Sequence, residues 1–230
     1  MVFIFSFIYT GNTYGQILPS FYGVHANKKI PINGQVAFFY FSSGELGYTL
    51  SGASASSDKN GTANSAVELD NATDRITGEF SENLNNDFTV SLWAKLNNSY
   101  PSRKMWFIAF GQSINNKAFH FGCYFNGSNN GNYRVGSWGT NHATDDNLGN
   151  DYNWKHYVVT YDKSEEEYKF YINNQLTHTK SNQSLTIAVP NFVIGSQLGY
   201  NESWYGKIDQ LGVWNRILTS QEINDLFNNY

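Results

Sequence analysis

A single cysteine, Cys123, in 230 residues rules out an internal disulfide, so burial and hydrogen bonding must hold the fold together. Charge is scarce as well. Lys, Arg, Asp and Glu make up 15% of the chain, against about 25% in an average globular domain. The 15 basic and 19 acidic residues leave a formal charge of -4, which gives no electrostatic reason to expect a nucleic-acid partner. No apolar run reaches the roughly 20 residues that a membrane-spanning helix needs. HExxH, a phosphate loop, a dinucleotide fingerprint and CxxC are all missing. The five histidines (His25, His120, His142, His156, His178) lack the mutual spacing of a transition-metal site.

What the chain does have is 40% hydrophobic residues, 17% aromatics and a polar fraction made mostly of uncharged Asn, Ser, Thr and Gly. That composition excludes disorder, collagen and coiled coil. At its start, Val2, Phe3, Ile4, Phe5, Phe7 and Ile8 form a short apolar run, followed by small residues at Thr13 and Gly15 before Gln16. This is the pattern a signal peptidase reads, although the usual early Lys or Arg is lacking. A buried first strand is the alternative. The expected organisation is a secretory signal over residues 1–15, an N-terminal extension over 16–34 and one domain over 35–230, secreted or held at the cell surface.

Beyond Gln16 the apolar residues alternate over short stretches separated by Gly, Asn, Ser and Asp, the mark of an antiparallel all-β domain. Eleven strands are expected, near 35–41, 66–69, 88–96, 106–110, 118–124, 134–138, 154–162, 168–172, 175–179, 192–194 and 205–214, arranged as a two-sheet sandwich. In the clearest of them Phe88, Val90, Leu92, Ala94 and Leu96 share one face, expected to be core, while Thr89, Ser91, Trp93 and Lys95 share a face expected to lie outside it. Asn173-Asn174 reads as a two-residue hairpin turn, since Asn tolerates positive φ. One helix is expected, at the end: Thr219 and Glu222 form a capping box, Leu218 and Ile223 a hydrophobic staple, and Leu226 and Phe227 continue the stripe.

Three stretches then carry a resemblance. They are Asp58-Lys-Asn-Gly61-Thr-Ala-Asn-Ser65-Ala-Val-Glu-Leu-Asp70 with Phe88-Thr-Val-Ser-Leu-Trp93; Trp154-Lys-His156-Tyr-Val-Val-Thr160-Tyr-Asp162 with Tyr171-Ile-Asn-Asn-Gln-Leu; and Gly206-Lys-Ile-Asp209-Gln-Leu-Gly-Val-Trp214-Asn215-Arg216-Ile-Leu218-Thr-Ser-Gln-Glu222-Ile223. In order and spacing they resemble the laminin-G-like domains of the concanavalin A-like jelly rolls, in their bacterial branch. The resemblance implies a curved two-sheet sandwich that binds glycans or other extracellular ligands and often carries a structural calcium. One departure bears on the metal: where this branch often has an Asp, the stretch Gly47-Tyr48-Thr49-Leu50-Ser51-Gly52 has no carboxylate. Asp209 alternates with Leu211 and Val213, so simple pleating places it on the core side. A buried carboxylate there needs either a calcium ion completed by carbonyl oxygens, or backbone N–H groups and a lone cation such as Arg75.

Sugars offer apolar CH faces and many hydroxyls, so their binders combine exposed aromatics with amides, carboxylates and imidazoles. Trp138 and His142 lie within the Gly/Asn-rich stretch 126–153, and Tyr200 and Trp204 lie in the loop before the last strand. These four are the candidate ligand-binding residues, the structural alternative being that each packs against a neighbour. Trp93, Trp154 and Trp214 read as structural. The expected function is a non-catalytic module recognising a polysaccharide or glycan. A protein-binding adhesion module is the first alternative. A glycoside hydrolase built on Glu68, Asp70 and Asp74 is the second, and it would require two carboxylates facing each other across a cleft.

Overall fold

The computed structural model describes residues 30–42, 49–97, 104–125, 131–143, 152–199 and 202–229. Fifteen strands and one helix follow in order: β1 Gln35–Phe39, β2 Thr49–Ser51, β3 Ser54–Ser56, β4 Ala66–Leu69, β5 Arg75–Glu79, β6 Phe88–Leu96, β7 Lys104–Gly111, β8 Ala118–Phe125, β9 Gly131–Ser137, β10 Thr140–Ala143, β11 Lys155–Asp162, β12 Glu167–Ile172, β13 Gln175–Lys180, β14 Asn191–Ile194, β15 Gly206–Trp214 and α1 Ser220–Asn228. All eleven expected strands are present to within a few residues; β2, β3, β5 and β10 are additional. They form two antiparallel sheets. The eight-stranded sheet runs β13-β12-β11-β6-β15-β4-β3, with β1 on the free half of β15, and the seven-stranded sheet runs β10-β9-β8-β7-β14-β5-β2. Between them lies a core in which Phe88, Phe107, Phe110, Phe119, Phe121, Tyr161 and Tyr168 pack at tilted and edge-on angles, the geometry that aromatic quadrupoles favour.

β6 departs from the expected one-sided burial. Its alternate face is also covered, because the chain after β15 folds back over it. Thr89 donates through Oγ1 to the Arg216 carbonyl at 2.8 Å and accepts from the Leu218 N–H at 3.0 Å. Ser91 lies 2.8 Å from Nε2 of buried His156, and the Trp93 ring stacks on Phe227 of α1 at 5.7 Å. The helix itself begins as expected. Thr219 caps it, Glu222 closes the capping box, and Ile223 and Leu226 turn inward against Phe38, Val158, Trp214 and Leu218. Asn173 and Asn174 take the left-handed turn at φ 47° and 66°.

β15 corrects the expectation for Asp209. A bulge between Asp209 and Gly212, with Gln210 at φ 45°, shifts the alternation by one residue. Ile208, Leu211 and Val213 therefore face the core, while Asp209 sits opposite Trp93 on the outer, helix-covered face. It is still buried, and its Oδ1 accepts the Gln210 N–H at 2.7 Å. Arg75 belongs to the other sheet, in β5, and is not its counter-ion.

Candidate functional site

The outer face of the seven-stranded sheet is set by the register of β7, β8, β9 and β10. Outward positions fall into rows: Ala109, His120 and Gly136; then Trp106, Gly122 and Arg134; then Lys104, Tyr124 and Asn132. Large side chains stand opposite small ones, so His120 and Arg134 each have a glycine across the ladder. Gly122 is obligatory, since a Cβ there would stand 2.1 Å from the Met105 carbonyl oxygen. A bulge between Trp106 and Ile108 turns Trp106 outward while keeping Phe107 and Ile108 in the core.

The segment before β15 completes this face. Ser203 bridges in parallel to Trp106 in β7, beyond the end of β14, and its hydroxyl donates to the Ala72 carbonyl at 2.7 Å. With Ser203 so held, its neighbours point opposite ways. Glu202 comes out to accept the Trp106 indole N–H at 2.7 Å. Trp204 goes inward, 1% exposed, its ring 4.7 Å from Phe107. This overturns the expectation that Trp204 is a ligand platform: both its surroundings and its burial make it core. Trp138 keeps a partly exposed position at the two-residue turn between β9 and β10, its ring 6.0 Å from His120 and packed on Ala109, Ala118, Val193 and Leu198. His142 lies in β10 opposite Val135, but its side chain lies outside the described residues, as does Tyr200 altogether.

The chemistry of this face combines aromatic rings with charged and amide side chains. Trp106 and His120 lie buried beneath it, with ring centroids 5.2 Å apart. Tyr124, Arg134, Lys104, Asn132 and Glu202 stand around them half-buried, and the Arg134 guanidinium lies 4.6 Å over the Tyr124 ring. Nε2 of His120 and Nε of Arg134 are buried without a hydrogen-bond partner, which is uncommon in a folded interior. Burial, helped by Lys104, pushes the His120 pKa down to about 3, so the imidazole is neutral at ordinary pH and can either donate or accept. Burial also lowers the Arg134 pKa, with Tyr124 and Glu202 pulling it back up. Of the expected site residues only Trp138 is placed on this face by its side chain. Trp106, His120, Tyr124, Arg134 and Glu202 went unread, though the alternations Ala118-x-His120-x-Gly122-x-Tyr124 and Asn132-x-Arg134-x-Gly136-x-Trp138 carry the signal. An ordinary solvated face would show Lys, Glu and Thr there.

Two other expectations have a definite place. Glu68 and Asp70 both line a depression of about 510 Å³ on the eight-stranded sheet. Glu68 is fully engaged there: Oε2 accepts from the Ser56 hydroxyl at 3.1 Å and lies 3.7 Å from Lys207 Nζ, and Oε1 accepts from the Asn97 amide at 3.4 Å. Asp74, the third acid of that string, is buried elsewhere, accepting the Asp70 and Asn71 N–H groups at 3.0 Å. For calcium, Asp209 supplies one carboxylate already used by Gln210, and among the described residues no three His, Cys, Asp or Glu side chains gather to hold a metal.

A laminin G family model, described as the concanavalin A-like lectin/glucanases superfamily, matches residues 60–224. No curated protein matches the chain. Among solved structures, the receptor-binding domain of botulinum neurotoxin C/D mosaic serotype is similar with a TM-score of 0.64 at 14% identity; the match covers 84% of this chain and 51% of that one, so this chain spans about half the length of the toxin domain. Domain 4 of AbnA, an extracellular GH43 arabinanase from Geobacillus stearothermophilus, solved in complex with arabinotriose, has a TM-score of 0.63 at 20% identity, covering 84% of this chain and 98% of that one. A heptameric SAP-like pentraxin from Limulus polyphemus has a TM-score of 0.54 at 18% identity, covering 67% and 75%. At these identities the likeness is one of fold.

Proposed function

The chain belongs to the laminin G-like part of the concanavalin A-like lectin/glucanase superfamily, and from that premise we propose that it is a non-catalytic module that binds carbohydrate outside the cell. The observation that carries the reading is the outer face of the seven-stranded sheet. Tyr124 and Trp138, both partly exposed, present aromatic surface there beside the half-buried Arg134 and Glu202, above the buried Trp106 and His120. Apolar CH patches and hydroxyls are what such a surface satisfies. The fold it shares with an arabinanase domain solved with arabinotriose supports a sugar as the ligand class.

The rival readings find less support. Large exposed hydrophobics among the described residues are Ile32, Leu50, Ile114 and Leu176, on four separate stretches of chain, two in strands and two in connections. A hydrolase would need a protonated acid beside a free carboxylate, whereas Glu68 has both oxygens accepting hydrogen bonds. Affinity electrophoresis against a panel of soluble polysaccharides tests the proposal. At least one should retard the protein, and Tyr124→Ala and Arg134→Ala should each weaken that retardation by about fivefold in affinity, close to 1 kcal/mol. If no polysaccharide retards the native protein, or if both variants behave as it does, carbohydrate binding by this face is wrong.

A further inference from the structure

The depression lies on the eight-stranded sheet, not on the sheet that bears the face just described, and one of its cations has no carboxylate partner among the described residues. Lys207 of β15 stands directly opposite Glu68 of β4 on one side and Lys95 of β6 on the other, giving a row of acid, base, base across three strands. Like charges facing each other on neighbouring strands are destabilising unless something compensates them. Glu68 compensates Lys207 at 3.7 Å. Lys95, half-buried, has no counterpart among the described residues. Beyond the row, Asp70 is exposed at the end of β4 and Asn97 follows β6, its N–H donating to the Tyr205 carbonyl at 3.0 Å and so holding the Tyr205 ring at the wall.

We propose that this depression is a second binding site, for a saccharide ring bearing a carboxylate. The carboxylate completes the unmatched Lys95, the apolar face of the ring lies along Tyr205, and its hydroxyls reach Asp70 and the Asn97 amide. The lining argues for one negative charge per ring and against a densely charged polyanion. Its two acids and two bases leave no net charge, so a phosphate string or a nucleic acid would meet Glu68 and Asp70 as well as the lysines. A neutral ring would leave the Lys95 charge as unmatched as before, which makes the carboxylate the group that decides affinity. A cation and carboxylate meeting in a partly enclosed depression form a stronger bond than the same pair on open surface.

The test is titration of the whole protein with trigalacturonate, with uncharged galactotriose and with sodium sulfate. Trigalacturonate should bind, galactotriose at least fivefold more weakly, and sulfate should not displace the sugar. Lys95→Met should weaken trigalacturonate at least fivefold, with Lys95→Arg within about twofold of native; thermal melting of both variants confirms that they are folded. Lack of binding to native protein, equal binding by Lys95→Met, equal binding of galactotriose, or displacement by sulfate would each overturn the proposal. Tyr124→Ala separates this site from the other one. If that variant rather than Lys95→Met loses trigalacturonate, the acidic sugar sits on the seven-stranded sheet, and the second site falls while carbohydrate binding stands.

Discussion

His120 and His156 are buried, neutral and only partly satisfied: Nε2 of the first and Nδ1 of the second have no hydrogen-bond partner. Burial first, then Lys104 for His120 and Lys59 for His156, lowers each pKa from 6.5 to about 3. In the unfolded chain each takes up a proton near pH 6.5. Between that value and 3 the unfolded state therefore binds more protons, and stability falls as pH falls. At pH 5 the loss should be about 2 kcal/mol from each histidine relative to neutral pH. Urea unfolding at pH 7 and pH 5 checks this, and an unchanged midpoint would mean that the imidazoles are more solvated than their surroundings indicate. Trp204 makes the other argument at this scale. Its loop has the composition of a binding loop, and the sequence holds no sign of the parallel bridge at Ser203 that turns its ring inward. Trp204→Ala should cost about 3–5 kcal/mol, read as a lower melting temperature. A variant that instead kept its melting temperature and lost only sugar retention would return Trp204 to the binding surface.

Among the elements, those with alternating apolar residues were legible and those without were not. β4 and β6 were read with their observed limits, since Ala66-Val-Glu-Leu69 and Phe88 to Leu96 carry the period of two. β2, Thr49-Leu-Ser51, and β3, Ser54-Ala-Ser56, have no buried residue and almost nothing apolar to alternate; β5 offers one buried residue, Ile76. These strands exist because neighbours supply a hydrogen-bonding edge, which no local pattern announces. The bulge in β15 is a similar case: nothing in Asp209-Gln210-Leu211 marks it, so counting by twos put Asp209 on the wrong face. The C-terminal helix was legible because capping is local chemistry. Arg216 forks onto Glu222 at 2.6 and 2.8 Å and, with the Thr219 bonds, holds the Glu222 pKa down to about 2. A depressed carboxylate contributes stability above its unfolded value near 4.5 and loses it as pH falls towards 2, so this contribution lies at lower pH than that of the histidines. Thr219→Ala removes the cap and should cost about 1 kcal/mol in urea unfolding. No change there would mean that packing of Ile223 and Leu226, rather than the cap, fixes where the helix starts.

For the whole molecule the question is where the folding unit begins. The family match starts at residue 60, and the sequence reading placed the domain from 35. The structure ties in still earlier residues. Pro31 accepts the Trp214 indole N–H at 2.8 Å, Asn33 accepts from Arg216 Nε at 2.8 Å, and Gly34 accepts the Asn215 N–H at 2.8 Å. Just after them β1 pairs with β15 from Gln35 to Phe39 and sends Val36, Ala37, Phe39 and then Phe41 into the main core, with Phe38 against Trp214 beneath the helix. Burying three phenylalanines contributes about 5 kcal/mol or more, a large part of the 5–15 kcal/mol that a domain has in total. Losing β1 would also leave the Leu211–Trp214 half of β15 with one bare edge, a template for pairing with another chain. A chain begun at residue 60 should therefore be insoluble or melt without cooperativity, whereas one begun at residue 30 should melt in a single cooperative transition like the 230-residue chain. Differential scanning calorimetry of the two decides it. A cooperative transition from the shorter chain would show that β1 is an accessory strand, and that the sandwich closes on the matched residues alone.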